Sequence, residues 1–468
     1  MARKGYDLIV VGAGPTGIFV VLELLARQPE LDILVLEKGN DLEQRVCPMN
    51  IKEINCIKCA SCSIVSGWGG AGAFSDGKLS LSPRIGGNLD QYIEWQQLKE
   101  LISYVDDIYL KFGAPDRIFG VDAGKIEEIE AKAIKANLQF IPASLRHLGT
   151  GYSMTVLQAM QDYIEEQGVK IRFGVNVAQL LVEDEQIKGV VTTEGERIDA
   201  RFVMTAPGRE NAEWLSREAV RLGIEMSINP VDIGVRVECP SVITEELTDN
   251  IYESKLVYQA PTFDDKVRTF CMSPYGQVVN ENNQGLITVN GHSHAEIKTK
   301  NTNFALLVSK TFTEPFHQPI TYGKAIAKLA NLLGGGVLVQ RLGDLLNGHR
   351  STPERIARGI VRPSLKKATP GDLSLVLPYR HLTDIIEMIE ALDQLAPGLY
   401  SRDTLLYGVE VKFYSSRLKV NKQLETKINN LFVGGDGAGI TRGLMQASVS
   451  GVVVARSILN KIKAGEDS

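Results

Sequence analysis

The chain has 468 residues, 44% hydrophobic and 23% charged, the proportions of a globular protein of about two domains rather than a disordered or multispan membrane chain. Its formal net charge of -5 gives polyanions no general attraction and no basic patch stands out, so nucleic acid is not expected as a partner. Six cysteines are too few for a disulfide scaffold, and the apolar run 8–26 is broken by glycines and a proline and carries Glu23, so neither a membrane span nor a leader is expected and a cytoplasmic location is.

Residues 6–11 predict a parallel strand buried on both faces, 16–27 a mostly buried helix and 32–37 a second parallel strand, together a βαβ unit. The stretch 40–90, rich in Cys, Gly and Ser with weak periodicity, reads as loop around a site. Helical patterns follow at 90–112, 124–136 and 153–167, then a strand at 169–173, an antiparallel meander over 177–199 and another buried strand at 201–208. From about 231 the texture changes to longer strands (232–238, 286–290) and isolated helices (322–333, 382–395). The end of the chain returns to strand and glycine turn at 430–439, followed by a helix over 443–462. The expected fold is α/β, with a Rossmann-like domain drawn from residues 1–230 and 401–468 and a second α+β domain over 231–400, built on a mostly antiparallel sheet.

The turn Gly12-Ala13-Gly14-Pro15-Thr16-Gly17 suits a dinucleotide: the first glycines open the way for a pyrophosphate to the helix N-terminus, and Gly17 lets helix and strand pack closely. Glu37, at the end of the second strand, can accept hydrogen bonds from a ribose diol, with Lys38 beside it. A second match, Gly67-Trp68-Gly69-Gly70-Ala71-Gly72, lacks the strand before it and the helix after it. Gly70 and Ala71 are read either as backbone approaching a flat ligand or as a flexible loop. At the far end Gly435 and Asp436 suit the sugar-alcohol chain of a flavin, and the helix opening near Gly443 can face the flavin's O2 side. With no other convincing Rossmann turn, FAD is expected rather than NAD, and Gly208 is placed with it.

Gly12 to Gly17 with Glu37, the block Gly69-Gly70-Ala71-Gly72-Ala73-Phe74-Ser75-Asp76-Gly77-Lys78-Leu79, Ala206-Pro207-Gly208-Arg209, Gly234-Val235-Arg236-Val237-Glu238, Phe270-Cys271-Met272-Ser273-Pro274 and Gly435-Asp436-Gly437-Ala438-Gly439 together resemble the uncharacterised FAD-dependent dehydrogenase family of the glutathione-reductase-like flavoproteins. The resemblance spans essentially the whole chain. It implies a two-domain fold with bound FAD and transfers no substrate, because fold does not give function.

Cys56-Ile57-Lys58-Cys59-Ala60-Ser61-Cys62 is a C-x2-C-x2-C run, and Cys47-Pro48 supplies a fourth thiol upstream. Three thiolates at this spacing wrap a [4Fe–4S] cluster in bacterial ferredoxins, where the Cys-Pro follows rather than precedes the run. Structural zinc is the rival, and unligated or redox-active thiols the plainer reading.

Lys78 is a candidate for stabilising charge on a reduced flavin and Asp76 for orienting it, against a plain surface ion pair. Arg236, with Glu410 and Lys412, alternates along strands as a solvated face would; a clamp for a substrate carboxylate is the functional alternative. His292 and His294 lack further ligands, Cys271 reads as packing, and Arg442 as pyrophosphate contact or surface residue. The expected activity is an FAD-dependent oxidoreductase passing electrons from an iron–sulfur centre, supplied by a ferredoxin-like donor, to a small-molecule substrate. An electron-transfer protein acting between protein partners and an RNA-modifying flavoenzyme are the alternatives.

Overall fold

The computed structural model describes residues 5–48, 57, 59, 61–283, 285–293, 298–312, 316 and 318–466. It resolves into two compact units: Met1–Asp116, Arg146–Asn229 and Ser415–Ser468 form the first, and Arg117–Leu145 and Pro230–Tyr414 the second.

In the first unit β1 (Tyr6–Val11) is flanked by β2 (Ile33–Leu36) and by the strand Arg197–Thr205, all parallel, with Leu8 beside both Ile33 and Phe202. The strands Lys170–Arg172 and Leu431–Val433 extend this parallel core at either edge, and the meander Val177–Glu183 and Gln186–Thr192 joins the N-terminal end of Arg197–Thr205. The central strands carry branched apolar side chains that are buried along most of their length. α1 (Pro15–Arg27) follows β1, and its Pro15 sits in the first turn, where a missing N–H costs nothing. It crosses the C-terminal helix Leu444–Glu466 closely: a Cβ on Gly451 would lie 2.3 Å from the Thr16 carbonyl oxygen. Glu23, fully buried on α1, accepts from Tyr104 Oη at 2.6 Å, Arg27 Nε at 2.6 Å and Arg456 Nε at 2.7 Å, so one carboxylate joins α1, the helix Trp95–Lys111 and the C-terminal helix.

The second unit is built on an eight-stranded sheet in the order Thr369–Pro370, Leu338–Arg341, Leu405–Lys412, Val231–Pro240, Asn301–Lys310, Asp265–Ser273, Lys255–Ala260, Leu138–Ile141. All neighbours are antiparallel except the first pair. On Val231–Pro240 the residues Ile233, Val235 and Val237 join a core with the helices Pro319–Gly334 and Tyr379–Leu395, while Asp232, Arg236 and Glu238 occupy the alternate positions.

The domain limits differ from the expected ones. Residues 117–145 lie in the second unit because Leu138–Ile141 pairs with Lys255–Tyr258, and that unit runs to Tyr414 rather than to residue 400. Where the chain leaves and re-enters the first unit, Arg146 holds Asp106 through Nε and Nη2, at 2.7 and 2.8 Å, and Nη1 donates to the Pro115 carbonyl at 2.5 Å. No helix among the described residues is long and apolar enough to cross a membrane.

Candidate functional site

The first glycine turn divides its labour differently from the expectation. Gly12 has a φ of +103°, and a Cβ there would fall 2.3 Å from the Ala206 carbonyl oxygen; a Cβ on Gly17 would fall 2.1 Å from that of Gly12. Both glycines serve backbone packing. Gly14 alone opens outward: nothing lies within 4 Å of its would-be Cβ, and it begins α1 with no side-chain cap. No side chain caps the first helical turn and the Cβ position of Gly14 is clear, features that suit an anion at a helix start. Thr16 does not face that space, since its hydroxyl donates to the Ala447 carbonyl at 2.9 Å.

The second glycine run is not a loose loop. Gly69 N donates to the Ala13 carbonyl at 2.8 Å, Gly70 lies against Gly14 with its would-be Cβ 3.3 Å from the Gly14 Cα, and a 3-10 turn covers Gly70–Phe74, with Ala71 exposed. Beside Pro15 a small cleft opens among Gly69, Gly72, Ser153, Leu157 and Leu444.

Glu37 is buried and joins both glycine runs. Its Oε2 accepts from Ala13 N at 2.9 Å, and its Oε1 accepts from Gly39 N at 2.8 Å and Gly67 N at 2.9 Å. With two acceptor positions on each oxygen, Oε1 is filled and Oε2 keeps one. Lys38 turns to Asn211 Oδ1 at 3.1 Å and Glu210 Oε1 at 3.2 Å.

Sequence reasoning missed Arg45. Its buried guanidinium donates to the carbonyls of Ser63 (2.9 Å), Ile64 (2.9 Å) and Trp68 (2.5 Å), fastening the cysteine-containing segment to the second glycine run. Burial pushes its pKa down to about 10, against the opposing pull of Glu37 and Cys62. Nothing local in the sequence marks it; its partners are main-chain atoms 18 to 23 residues away.

At the chain's far end, a Cβ on Gly437 would fall 2.5 Å from the Gly208 carbonyl oxygen, so the turns after Arg197–Thr205 and Leu431–Val433 pack backbone on backbone. Half-buried Asp436 accepts from Thr441 Oγ at 2.8 Å and Gly443 N at 3.3 Å; desolvation raises its pKa, opposed chiefly by Arg209. Would-be Cβ atoms on Gly208 and Gly443 meet nothing within 4 Å, whereas one on Gly435 would fall 2.6 Å from Thr16 Oγ1. Lys78 pairs with Asp76 at 2.9 Å, both with mostly covered side chains, so a solvated surface pair is not what forms.

In the second unit the solvated-face expectation for Arg236, Glu410 and Lys412 is corrected, for all three are buried. Arg236 donates from Nε to Asn303 Oδ1 at 2.7 Å, from Nη1 to both Glu410 oxygens at 3.2 and 3.3 Å, and from Nη2 to the Cys271 carbonyl at 2.5 Å. Charges on neighbouring strands neutralise one another, which alternation within one strand cannot reveal. Cys271 is half-buried; His292 ends the strand Leu286–His292, and His294 lies outside the described residues.

Cys47 and Cys62 are half-buried, Cys59 is exposed, and Cys56 lies outside the described residues. Among the described residues no group of three or more His, Cys, Asp or Glu side chains is arranged to hold a metal ion, so neither the iron–sulfur nor the zinc expectation gains support there.

Residues 230–413 match the family described as FAD-dependent protein, C-terminal domain-like, and residues 127–243 match the pyridine nucleotide-disulphide oxidoreductase family. An uncharacterized protein of Clostridium beijerinckii is 29% identical over 484 residues, covering 97% of this chain and 80% of that protein. Among solved structures the chain is similar to L-proline dehydrogenase from P. horikoshii (14% identity, 98% and 94% of the two chains, TM-score 0.41). It is also similar to 3-ketosteroid-delta4-(5alpha)-dehydrogenase from Rhodococcus jostii RHA1 (14% identity, 97% of each chain, TM-score 0.44). The two family matches, each over less than half of the chain, and the Rossmann-like unit make this chain similar to FAD-dependent oxidoreductases, with its substrate unassigned.

Proposed function

We propose that the chain is a flavin-dependent dehydrogenase of a small organic molecule, with the FAD pyrophosphate lying at the N-terminus of α1 over Gly14. The observation that carries this reading is the open, uncapped helix start at Gly14, flanked by two glycines whose own Cβ positions are blocked by backbone. The residues fit the cofactor along its length. Glu37 Oε2 keeps one acceptor position for a ribose hydroxyl, and Ala13, Gly39 and Gly67 hold the carboxylate still. Asp436, held by Thr441 and Gly443, presents its carboxylate for the ribityl chain, and the open positions at Gly208 and Gly443 leave backbone accessible beside it. FAD, when bound, supplies two-electron redox chemistry at its ring. The protein's part is to orient that ring and to exclude water. Lys78, fixed by Asp76, is the cation we assign to balancing charge at the ring.

The iron–sulfur route into the flavin rests on the spacing of Cys47, Cys56, Cys59 and Cys62 and is a second reading.

Both readings are tested by anaerobic purification followed by an absorption spectrum and iron, sulfide and zinc analysis. Stoichiometric flavin is expected; protein that binds no FAD on reconstitution refutes the dehydrogenase. Flavin with iron and sulfide supports the relay, and flavin with zinc, or with no metal, removes it.

A further inference from the structure

Phe270, half-buried on the strand Asp265–Ser273, has three cations of its own unit around it: Arg268 Cζ stands 4.8 Å from the ring centroid, Lys255 Nζ 4.9 Å and Lys412 Nζ 5.7 Å. Significant cation–aromatic contacts occur about once per 70–80 residues, so three on one ring are a local concentration that must be held against mutual repulsion. Counter-charges are present: Asp232 for Arg268, Glu253 for Lys255 and Glu410 for Lys412. These three acids lie deeper than their cations, whereas Glu281, whose Oε2 is 3.7 Å from Lys412 Nζ, is 25% exposed. Side-chain exposure is 17%, 17% and 6% for Arg268, Lys255 and Lys412, against 2%, 9% and 0% for Asp232, Glu253 and Glu410. A molecule approaching this face at Lys255 and Arg268 meets an aromatic ring and positive charge with their counter-charges behind, while Glu281 stands on the Lys412 side.

Local backbone supports the same place. The register with Asn301–Lys310 slips between Phe270 and Ser273, where Cys271 takes a φ of +46° and turns its carbonyl onto Arg236 Nη2. Such bulges re-aim side chains and gather near active sites. Tyr414 Oη, 3.0 Å from Arg268 Nη2 and 2.5 Å from Asp232 Oδ2, holds the guanidinium in position.

We propose that this face binds an organic carboxylate with a flat apolar body, the body against Phe270 and the carboxylate among Arg268, Lys255 and Lys412. The geometry favours an acid over a neutral isostere because Coulomb attraction acts on the charge, while the aromatic contact is common to both.

The test is calorimetric titration of the FAD-loaded protein with benzoate, and with benzamide as the uncharged counterpart. Benzoate is expected to bind, to weaken as salt rises, and to weaken about tenfold in Lys255→Met, the loss of about 1–2 kcal/mol of cation contact. Benzamide is expected to bind at least about tenfold more weakly. Arg268→Gln removes the cationic partner of buried Asp232 and is read beside a thermal melt; Lys255→Met, whose partner Glu253 is less deeply placed, is the decisive variant. Equal binding of benzamide, no benzoate heat, or unchanged benzoate affinity in Lys255→Met overturns the proposal. Flavin content and dithionite reduction are followed on the same samples. Protein that binds benzoate but takes up no flavin refutes the oxidoreductase and leaves the anion site standing, whereas flavin-loaded protein indifferent to benzoate does the reverse.

Discussion

Gly67 N donates to Glu37 Oε1 at 2.9 Å, so the residue expected to hold a ribose also holds the second glycine run in place. Exchanging that carboxylate for an amide puts an N–H donor where at least one of Ala13, Gly39 and Gly67 already donates. Glu37→Gln is therefore expected to cost about 1–3 kcal/mol of stability, the penalty of an orphaned buried donor, together with weaker FAD binding. Thermal unfolding and FAD titration of the apoprotein measure the two effects. Weaker FAD binding with unchanged apoprotein stability would contradict the clamp.

The three glycines of the first turn should separate in mutagenesis. Gly14→Ala meets no protein atom, so the apoprotein is expected within about 1 kcal/mol of the parent while FAD retention falls. Gly12→Ala and Gly17→Ala push a methyl into backbone and should prevent stable folding. Apoprotein melting and flavin content decide, and full FAD retention in Gly14→Ala would place the pyrophosphate elsewhere.

Arg236 and Glu410 form a buried pair within a wider network, so removing one leaves the other's charge poorly compensated. Arg236→Met is expected to cost about 3–5 kcal/mol in urea unfolding, and the double variant Arg236→Met/Glu410→Gln less than the sum of the two single losses. Strict additivity would show that the two side chains do not act together.

The sequence made the first unit legible where the physics is local. The apolar run at 6–11, the glycines at 12–17 and the acid at 37 lie within one βαβ unit and are marked by period or residue type, although the division of labour among the glycines and the clamp made by Glu37 were not. What it hid is non-local. Residues 138–141 belong with a strand more than a hundred positions later, and the burial of Arg236 depends on Glu410 and Asn303 from other strands. The charged ring around Phe270 was invisible for the same reason: Lys255, Arg268 and Lys412 come from three strands. The cysteine spacing was plain, yet spacing alone does not choose between thiol, zinc and cluster.

The helix Tyr379–Leu395 offers a test by pH. Buried His381, with no hydrogen-bond partner at either ring nitrogen among the described residues, has its pKa lowered to about 4, first by burial and then by Lys310. Buried Asp384 has its pKa raised to about 7, first by burial and then by Asp265, whose own pKa is held low by Arg380 and Lys310 against burial. For His381 the folded pKa lies below the unfolded one, so its contribution is present above about pH 6.5 and is lost as pH falls toward 4. Asp384 is the opposite case: its contribution is present below about pH 4 and is lost as pH rises through 7. The native state keeps a neutral imidazole and a protonated carboxyl where the unfolded chain carries imidazolium and carboxylate, so the two slopes oppose across pH 4–7. Single substitutions should unmask them. Asp384→Asn is expected to make stability rise with pH over that window, and His381→Gln to make it fall, each relative to the parent and each by up to about 1 kcal/mol per pH unit. Urea unfolding at successive pH values reads both slopes; slopes of the same sign in the two variants would rule out the opposed titration.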